Sequence, residues 1–214
     1  MPNLTGKNFY RCHLPHWHPG KVSSFITFRL VGSLPRDVLD TWRKESKPPS
    51  ESKSQRWQRR RQWFRKFESL LHQGASGPLW LGDSGVAQMI AECLHYRHDR
   101  VFFLDCFCIM PNHVHMVINP LIQQGEPSTS ALMWGSIPGI MHSLKSYTAH
   151  EANKMLGRTG PFWAKESFDH WLRSLEHWQR AVSYVMENPV RAGLATIPSE
   201  YPWSFSRFGY PPLS

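Results

Sequence analysis

The run Cys108-Ile109-Met110-Pro111-Asn112-His113-Val114-His115-Met116-Val117-Ile118 carries two histidines separated by one apolar residue. Strand side chains alternate with a period of two, so His113 and His115 point to one face, roughly 6.5–7 Å apart along the backbone. Two neutral imidazoles on a rigid strand form part of a metal site and require at least one further ligand from elsewhere. The last predicted helix offers Tyr184 and Asn188, four residues apart and therefore on one face. An amide oxygen is acceptable to a hard cation such as Mg²⁺ or Mn²⁺. A phenol is a poor nucleophile at neutral pH, but a neighbouring metal and basic groups favour its anion.

The elements that position these residues follow from periodicity. Val22–Leu30, where Phe25, Thr27 and Arg29 alternate with Ile26, Phe28 and Leu30, predicts a strand, and a short helix opens at Pro35 and runs to about Trp42. Asp83-Ser84 caps a helix with Val86, Met89, Ile90, Cys93 and Leu94 on one side. Val101–Ile109 is apolar on both faces, which predicts a strand central in its sheet. Pro111-Asn112 then turns the chain into the histidine strand, His113–Ile118, and residues 119–135 read as a loop. Ser136-Ile137-Pro138 starts a helix that Gly157 through Pro161 breaks, and Phe162–Leu172 reads as a short strand or hairpin element. Ser174 caps the last helix, with Leu175, Trp178, Val182 and Val185 as its apolar stripe, and Asn188-Pro189 ends it. This order predicts an α+β fold, an antiparallel sheet with helices on one or both faces.

At 214 residues the chain suffices for one domain, embellished by a basic linker and helical insertion at about 43–72. The formal charge of +9 biases the partner toward a polyanion. The 24 residues from Arg43 to Lys66 hold ten Lys or Arg against two acids, so most of that charge is local. The stretch around Lys47-Pro48-Pro49-Ser50 reads as a flexible linker. From Arg56 the pattern turns helical, with Trp57, Phe64, Phe67 and Leu71 near one face and Arg59, Arg60 and Arg61 placed to grip a nucleic-acid backbone. The segment His13-Leu14-Pro15-His16-Trp17-His18-Pro19 reads as an irregular loop. Four cysteines and no basic-then-apolar leader predict a reducing, cytoplasmic setting, with Cys106 and Cys108 serving as buried apolar residues. No apolar stretch approaches the ~20 residues of a membrane span.

Ordered along the chain are His13-Leu14-Pro15-His16-Trp17, Phe25-Ile26-Thr27-Phe28-Arg29-Leu30, Met110-Pro111-Asn112-His113-Val114-His115 and Ser143-Leu144-Lys145-Ser146-Tyr147-Thr148. Gly160-Pro161-Phe162-Trp163, Glu166-Ser167-Phe168-Asp169-His170, Tyr184-Val185-Met186-Glu187-Asn188-Pro189-Val190-Arg191-Ala192-Gly193-Leu194 and Tyr201-Pro202-Trp203-Ser204 follow. With this set the chain resembles the REP-associated tyrosine transposases, a branch of the single-tyrosine HUH nuclease and transposase superfamily. The resemblance implies a ferredoxin-like HUH fold and assigns His113 and His115 as the metal-binding pair, Tyr184 as the nucleophile and Asn188 as the third metal ligand. It further implies a Mg²⁺- or Mn²⁺-dependent endonuclease and strand transferase, acting on single-stranded hairpin DNA of palindromic repeats through a 5′-phosphotyrosyl adduct. Lys145, Arg158, Lys165, Arg173 and Arg191 are candidates for phosphate contacts. Such a protein works as a monomer or a homodimer. Two other functions compete: a non-catalytic hairpin-binding regulatory protein, and a zinc hydrolase for which Asp105 is the strand candidate for a base. Tyr147 is the rival nucleophile.

Overall fold

The computed structural model describes residues 9–11, 15–17, 22–45, 52–74, 76–121 and 136–209. Near the N-terminus β1 (Phe9–Arg11) and β2 (Pro15–Trp17) pair antiparallel, with His16 opposite Tyr10. A short ladder therefore replaces the expected irregular loop; proline is tolerated at the first residue of a strand, where Pro15 sits. His13 and His18 lie outside the described residues, as do Cys12 and the linker residues 46–51.

The main sheet has five strands: β3 (Ser24–Leu30), β4 (Phe102–Met110), β5 (His113–Pro120), β6 (Trp163–Trp171) and β7 (Ser204–Ser206). Their order is β6-β3-β5-β4-β7, and every neighbouring pair is antiparallel. The histidine strand β5 is thus the middle strand. The apolar strand β4 stands one place from the edge rather than at the centre, flanked by the three-residue β7 that periodicity does not reveal. Its two-faced apolar pattern reflects helices on both sides of the sheet, not centrality within it.

One face packs against α3 (Ser84–Arg97) and α4 (Ile137–Met155), which join Ile26, Phe28, Leu104, Phe107, Val114 and Met116 in the larger core. Asp83 caps α3 by accepting from the Val86 amide, and Ser136 caps α4. The other face carries Phe25, Cys106, Cys108, Met110 and Val117, covered by Val182, Val185 and Met186 of α5 (Leu175–Arg191). Helix α5 passes through Pro189 to Arg191 instead of stopping at Asn188. Proline removes one N–H donor, and the Ala192 amide to the Asn188 carbonyl closes the last turn at 3.0 Å.

Two further helices, α1 (Arg36–Glu45) and α2 (Lys53–Gln73), lie in the basic region. Ser52 and Gln55 form a capping box at the start of α2, and Gly74 closes its end in the left-handed conformation. Leu34, Phe67 and Leu71 form a small separate core there. The chain after α2 is drawn onto the turn after β3: a Cβ at Gly77 would lie 2.3 Å from the Gly32 carbonyl oxygen. That close approach fixes the C-terminal end of α2 over the sheet. No helix among the described residues is long and apolar enough to cross a membrane.

Burial raises the thiols of Cys93 to about 11 and Cys108 to about 12, and Cys106 moves well above its usual value for the same reason. All three are expected to resist iodoacetamide at pH 8 in the folded protein and to react fully in guanidinium, as read by mass spectrometry. Because their folded values are raised, the stability they contribute is present below pH ~9 and is lost as the pH climbs toward 12.

Candidate metal centre

The site forms where β5, α2 and α5 meet on the second face of the sheet. His113 and His115 are buried, and their Nε2 atoms face each other at 2.9 Å. The register of β5 against β3 sets Thr27 opposite His115 and Arg29 opposite His113. Both imidazoles are held from behind. Asn112 donates through Nδ2 to the Leu71 carbonyl at 2.9 Å, which orients its amide so that Oδ1, 2.6 Å away, accepts from His113 Nδ1. A neutral His113 then presents the lone pair of Nε2 to the site. His115 Nδ1 is 2.8 Å from the Thr27 hydroxyl.

Helix α2 brings two residues that periodicity did not single out. Glu68 and His72 are four apart, on the same face as Phe64 and Leu71, and that face turns toward the sheet. Glu68 Oε2 is 3.2 Å from His115 Nε2 and 3.7 Å from His72 Nε2. One donor atom from each of Glu68, His72, His113 and His115 lies within 4.8 Å of all the others, a group that could hold a divalent metal ion. Among the described residues Glu68 Oε1 is buried without a hydrogen-bond partner, an arrangement that a cation beside the carboxylate would resolve. The Glu-x-x-x-His spacing was a signal, obscured by its position just beyond the arginine-rich run.

Helix α5 supplies Tyr184 and Asn188. The Tyr184 hydroxyl donates to Glu68 Oε2, the same oxygen that faces His115. Its ring packs edge-on to Phe25 and His115, at centroid distances of 5.8 and 5.6 Å. Asn188 Oδ1 lies 2.6 Å from His72 Nε2, and its Nδ2 is directed to the Tyr184 carbonyl at 3.4 Å. The two α5 residues thus meet the two α2 residues pairwise, Tyr184 on Glu68 and Asn188 on His72.

Charge is sharply organised here. Burial raises the Glu68 carboxyl, but the adjacent His115, the Tyr184 hydroxyl and His72 more than offset this and hold it below its usual value. Burial, then the Glu68 carboxylate, push the Tyr184 phenol far above its usual value, so it rests protonated. Burial and the neighbouring His115 and His72 keep His113 neutral well below pH 6.5. With that folded value lowered, the stability contributed is lost as the pH falls below about 6.5.

Most of the other candidates lie elsewhere. Tyr147 is half exposed on α4 beneath Arg97, and Asp105 accepts from Trp178 Nε1 at 2.7 Å and Arg207 Nη2 at 2.8 Å. Lys145 Nζ donates to the Ala164 carbonyl at 3.0 Å, lacing α4 to β6. Arg158 lies 3.6 Å over the Trp80 ring and donates to the Pro161 carbonyl. Lys165, Arg173 and Arg191 are exposed, and Arg191 stands 5.4 Å over the Tyr184 ring. Arg59 is half-buried on α2; the side chains of Arg60 and Arg61 lie outside the described ones.

Asn112→Ala is expected to weaken divalent-ion binding roughly 10–100-fold without removing a ligand, because His113 loses the partner that sets its tautomer. Calorimetric titration of metal-free protein with Mn²⁺ measures this directly.

No family model matches the chain, and no curated protein matches it. Among solved structures, a REP-associated tyrosine transposase bound to a REP hairpin is similar over 91% of this chain and 80% of that one, with 15% identity and a TM-score of 0.45.

Proposed function

We propose that the chain is a metal-dependent single-stranded DNA endonuclease and strand transferase acting at hairpin DNA, with Tyr184 as the nucleophile. The reading is supported by the ordered motifs around His113, His115 and Tyr184 and by the meeting of α2, β5 and α5 at one point. The observation that carries it is the Tyr184 hydroxyl bonded to Glu68 Oε2, an oxygen 3.2 Å from His115 Nε2.

His113, His115 and Glu68 would hold the divalent ion, with His72 and Asn188, 2.6 Å apart, completing its surroundings. Imidazole nitrogens with a carboxylate suit Mn²⁺ better than Mg²⁺, which prefers oxygen ligands. When bound there, such an ion would supply charge stabilisation at the non-bridging oxygens of a scissile phosphate. Glu68 Oε2 already accepts the hydrogen bond of the phenol, which makes it the atom positioned to receive that proton. Tyr184 Oη attacks phosphorus as the bond to the 3′-oxygen breaks, and the leaving 3′-oxygen takes up the proton that Glu68 received, giving a 5′-phosphotyrosyl adduct and a free 3′-hydroxyl. The same hydroxyl, or that of another strand, can attack the adduct and rejoin the DNA. The basic face of α2 gives such a strand a sequence-independent electrostatic hold.

A hairpin oligonucleotide incubated with the protein and Mn²⁺ is expected to yield a covalent protein–DNA band on a denaturing gel. The band should disappear with a chelator and persist in Tyr147→Phe. The resting bond between Tyr184 and Glu68 favours one alternative, a hairpin-binding regulatory protein without catalysis. Tight binding with neither cleavage nor adduct would establish that alternative instead.

A further inference from the structure

We propose that Arg29 is the phosphate-holding residue of this site: its guanidinium grips a phosphodiester oxygen of a DNA strand seated beside His113 and His115. The inference rests on the nuclease reading and adds to it a residue and a ligand chemistry.

Arg29 sits on β3 directly opposite His113 on β5. Side chains paired in this way share a face, with Cβ atoms about 4.5–5.5 Å apart. The residue is 7% exposed, which is unusual for a cation and costly unless the charge is matched. Its matching is poor. Among the described residues only Nη1 makes hydrogen bonds, to the Leu30 carbonyl and the Ser33 hydroxyl, both at 3.3 Å. These are long, and a guanidinium carries five N–H donors in a rigid fork. Glu166 on β6 is the carboxylate that supports the charge, and the Phe67 ring of α2 lies 6.0 Å from the guanidinium carbon. Burial outweighs that support and lowers Arg29 to about 10, where it remains protonated at neutral pH.

A structural role explains this poorly. An arginine retained only to tie β3 to the following turn would use its fork fully, and a neutral side chain would serve there at lower cost. Beside a metal centre the problem sharpens, because a divalent cation and a guanidinium repel across the same face. An anion between them resolves both charges. A phosphodiester offers two non-bridging oxygens, and arginine binds such groups in paired hydrogen bonds. Helix α2 covers Arg29 through Phe67 and the imidazole pair through Glu68, so both lie beneath the same helix.

The test uses the full chain, Mn²⁺ and two probes: inorganic phosphate and the thymidine dinucleotide, which has a single phosphodiester. Mn²⁺ bound at the imidazole pair broadens the ³¹P resonance of any phosphate held beside it. Wild type is expected to broaden the dinucleotide signal saturably. Arg29→Met should weaken dinucleotide binding about tenfold or more while Mn²⁺ affinity, read by electron paramagnetic resonance, is unchanged or tighter. Arg29→Lys, which retains the charge but not the fork, covers the case in which Arg29→Met does not fold, and it should also bind more weakly than wild type. Equal dinucleotide binding in wild type and the folded variants, no broadening in Mn²⁺-loaded wild type, or broadening by inorganic phosphate alone each overturns the proposal. Arg29-dependent dinucleotide binding without any covalent adduct on hairpin DNA would leave this inference standing and remove the nuclease reading.

Discussion

Tyr184→Phe is expected to abolish the covalent protein–DNA species and to lower strand cleavage by at least roughly 10³-fold, because it removes the attacking atom and leaves the rest of the site in place. The ring remains packed against Phe25 and His115, and its neighbour Phe64 lies at a centroid distance of 5.9 Å. What is lost is the hydroxyl that donates to Glu68. Depriving a buried carboxylate of one donor costs about 1–3 kcal/mol, so a thermal melt should show a modest decrease with the transition still cooperative. Mn²⁺ binding should persist, since the imidazoles and the carboxylate are untouched. An adduct of undiminished intensity in Tyr184→Phe would move the nucleophile elsewhere and overturn the assignment. The resting phenol also bears on rate. Burial and the Glu68 carboxylate both hold it protonated, so anything that neutralises the Glu68 charge eases its ionisation.

The strand half of this centre was legible because a period of two needs only local sequence: His113 and His115 must share a face of β5 whatever packs on them. Tyr184 and Asn188 share a face by their spacing of four on α5, but the resemblance, not the spacing, singled them out for the site. Glu68 and His72 have that spacing too, yet the arginines before them turned the reading of this helix toward a hold on a nucleic-acid backbone. What turns the Glu68 face of α2 inward is tertiary. Phe67 and Leu71 bury with Leu34, and Gly77 closes against Gly32. The bonds that join the site, Glu68 to Tyr184 and His72 to Asn188, each cross 116 positions of chain, a separation at which no periodicity carries information. At the fold level the α+β class followed from element order, whereas β7 has three residues and pairs only with Cys106–Cys108, too short a run to alternate visibly. Arg29 is the instructive case, since it reads as an ordinary polar residue of a strand until the register sets it opposite His113.

Replacing Glu68 by Gln separates the roles of that carboxylate, and its expected effect on ion binding is the largest of any single substitution in the centre. Glutamine keeps the shape and a hydrogen-bond acceptor for Tyr184 but carries no charge. Outer partners of metal ligands are worth roughly 10–100-fold in affinity, so losing the sole anionic donor of the cluster should exceed that range. The readout is stability. A ligand that binds only the folded state raises the unfolding free energy by RT ln(1 + [L]/Kd), about 2.7 kcal/mol at a hundredfold excess over Kd. Mn²⁺ should therefore raise the melting temperature of wild type and leave Glu68→Gln nearly unmoved at the same concentration. The metal-free proteins should diverge with pH as well. The wild-type carboxyl is held below its usual value in the fold, so its contribution is present above about pH 4.5 and disappears as the pH falls through the folded value. Glu68→Gln lacks that acid-sensitive component, and its stability should change less across the same interval. An equal Mn²⁺ shift in both proteins would place the ion away from Glu68, and the phenol would then have no cation at the oxygen to which it is bonded.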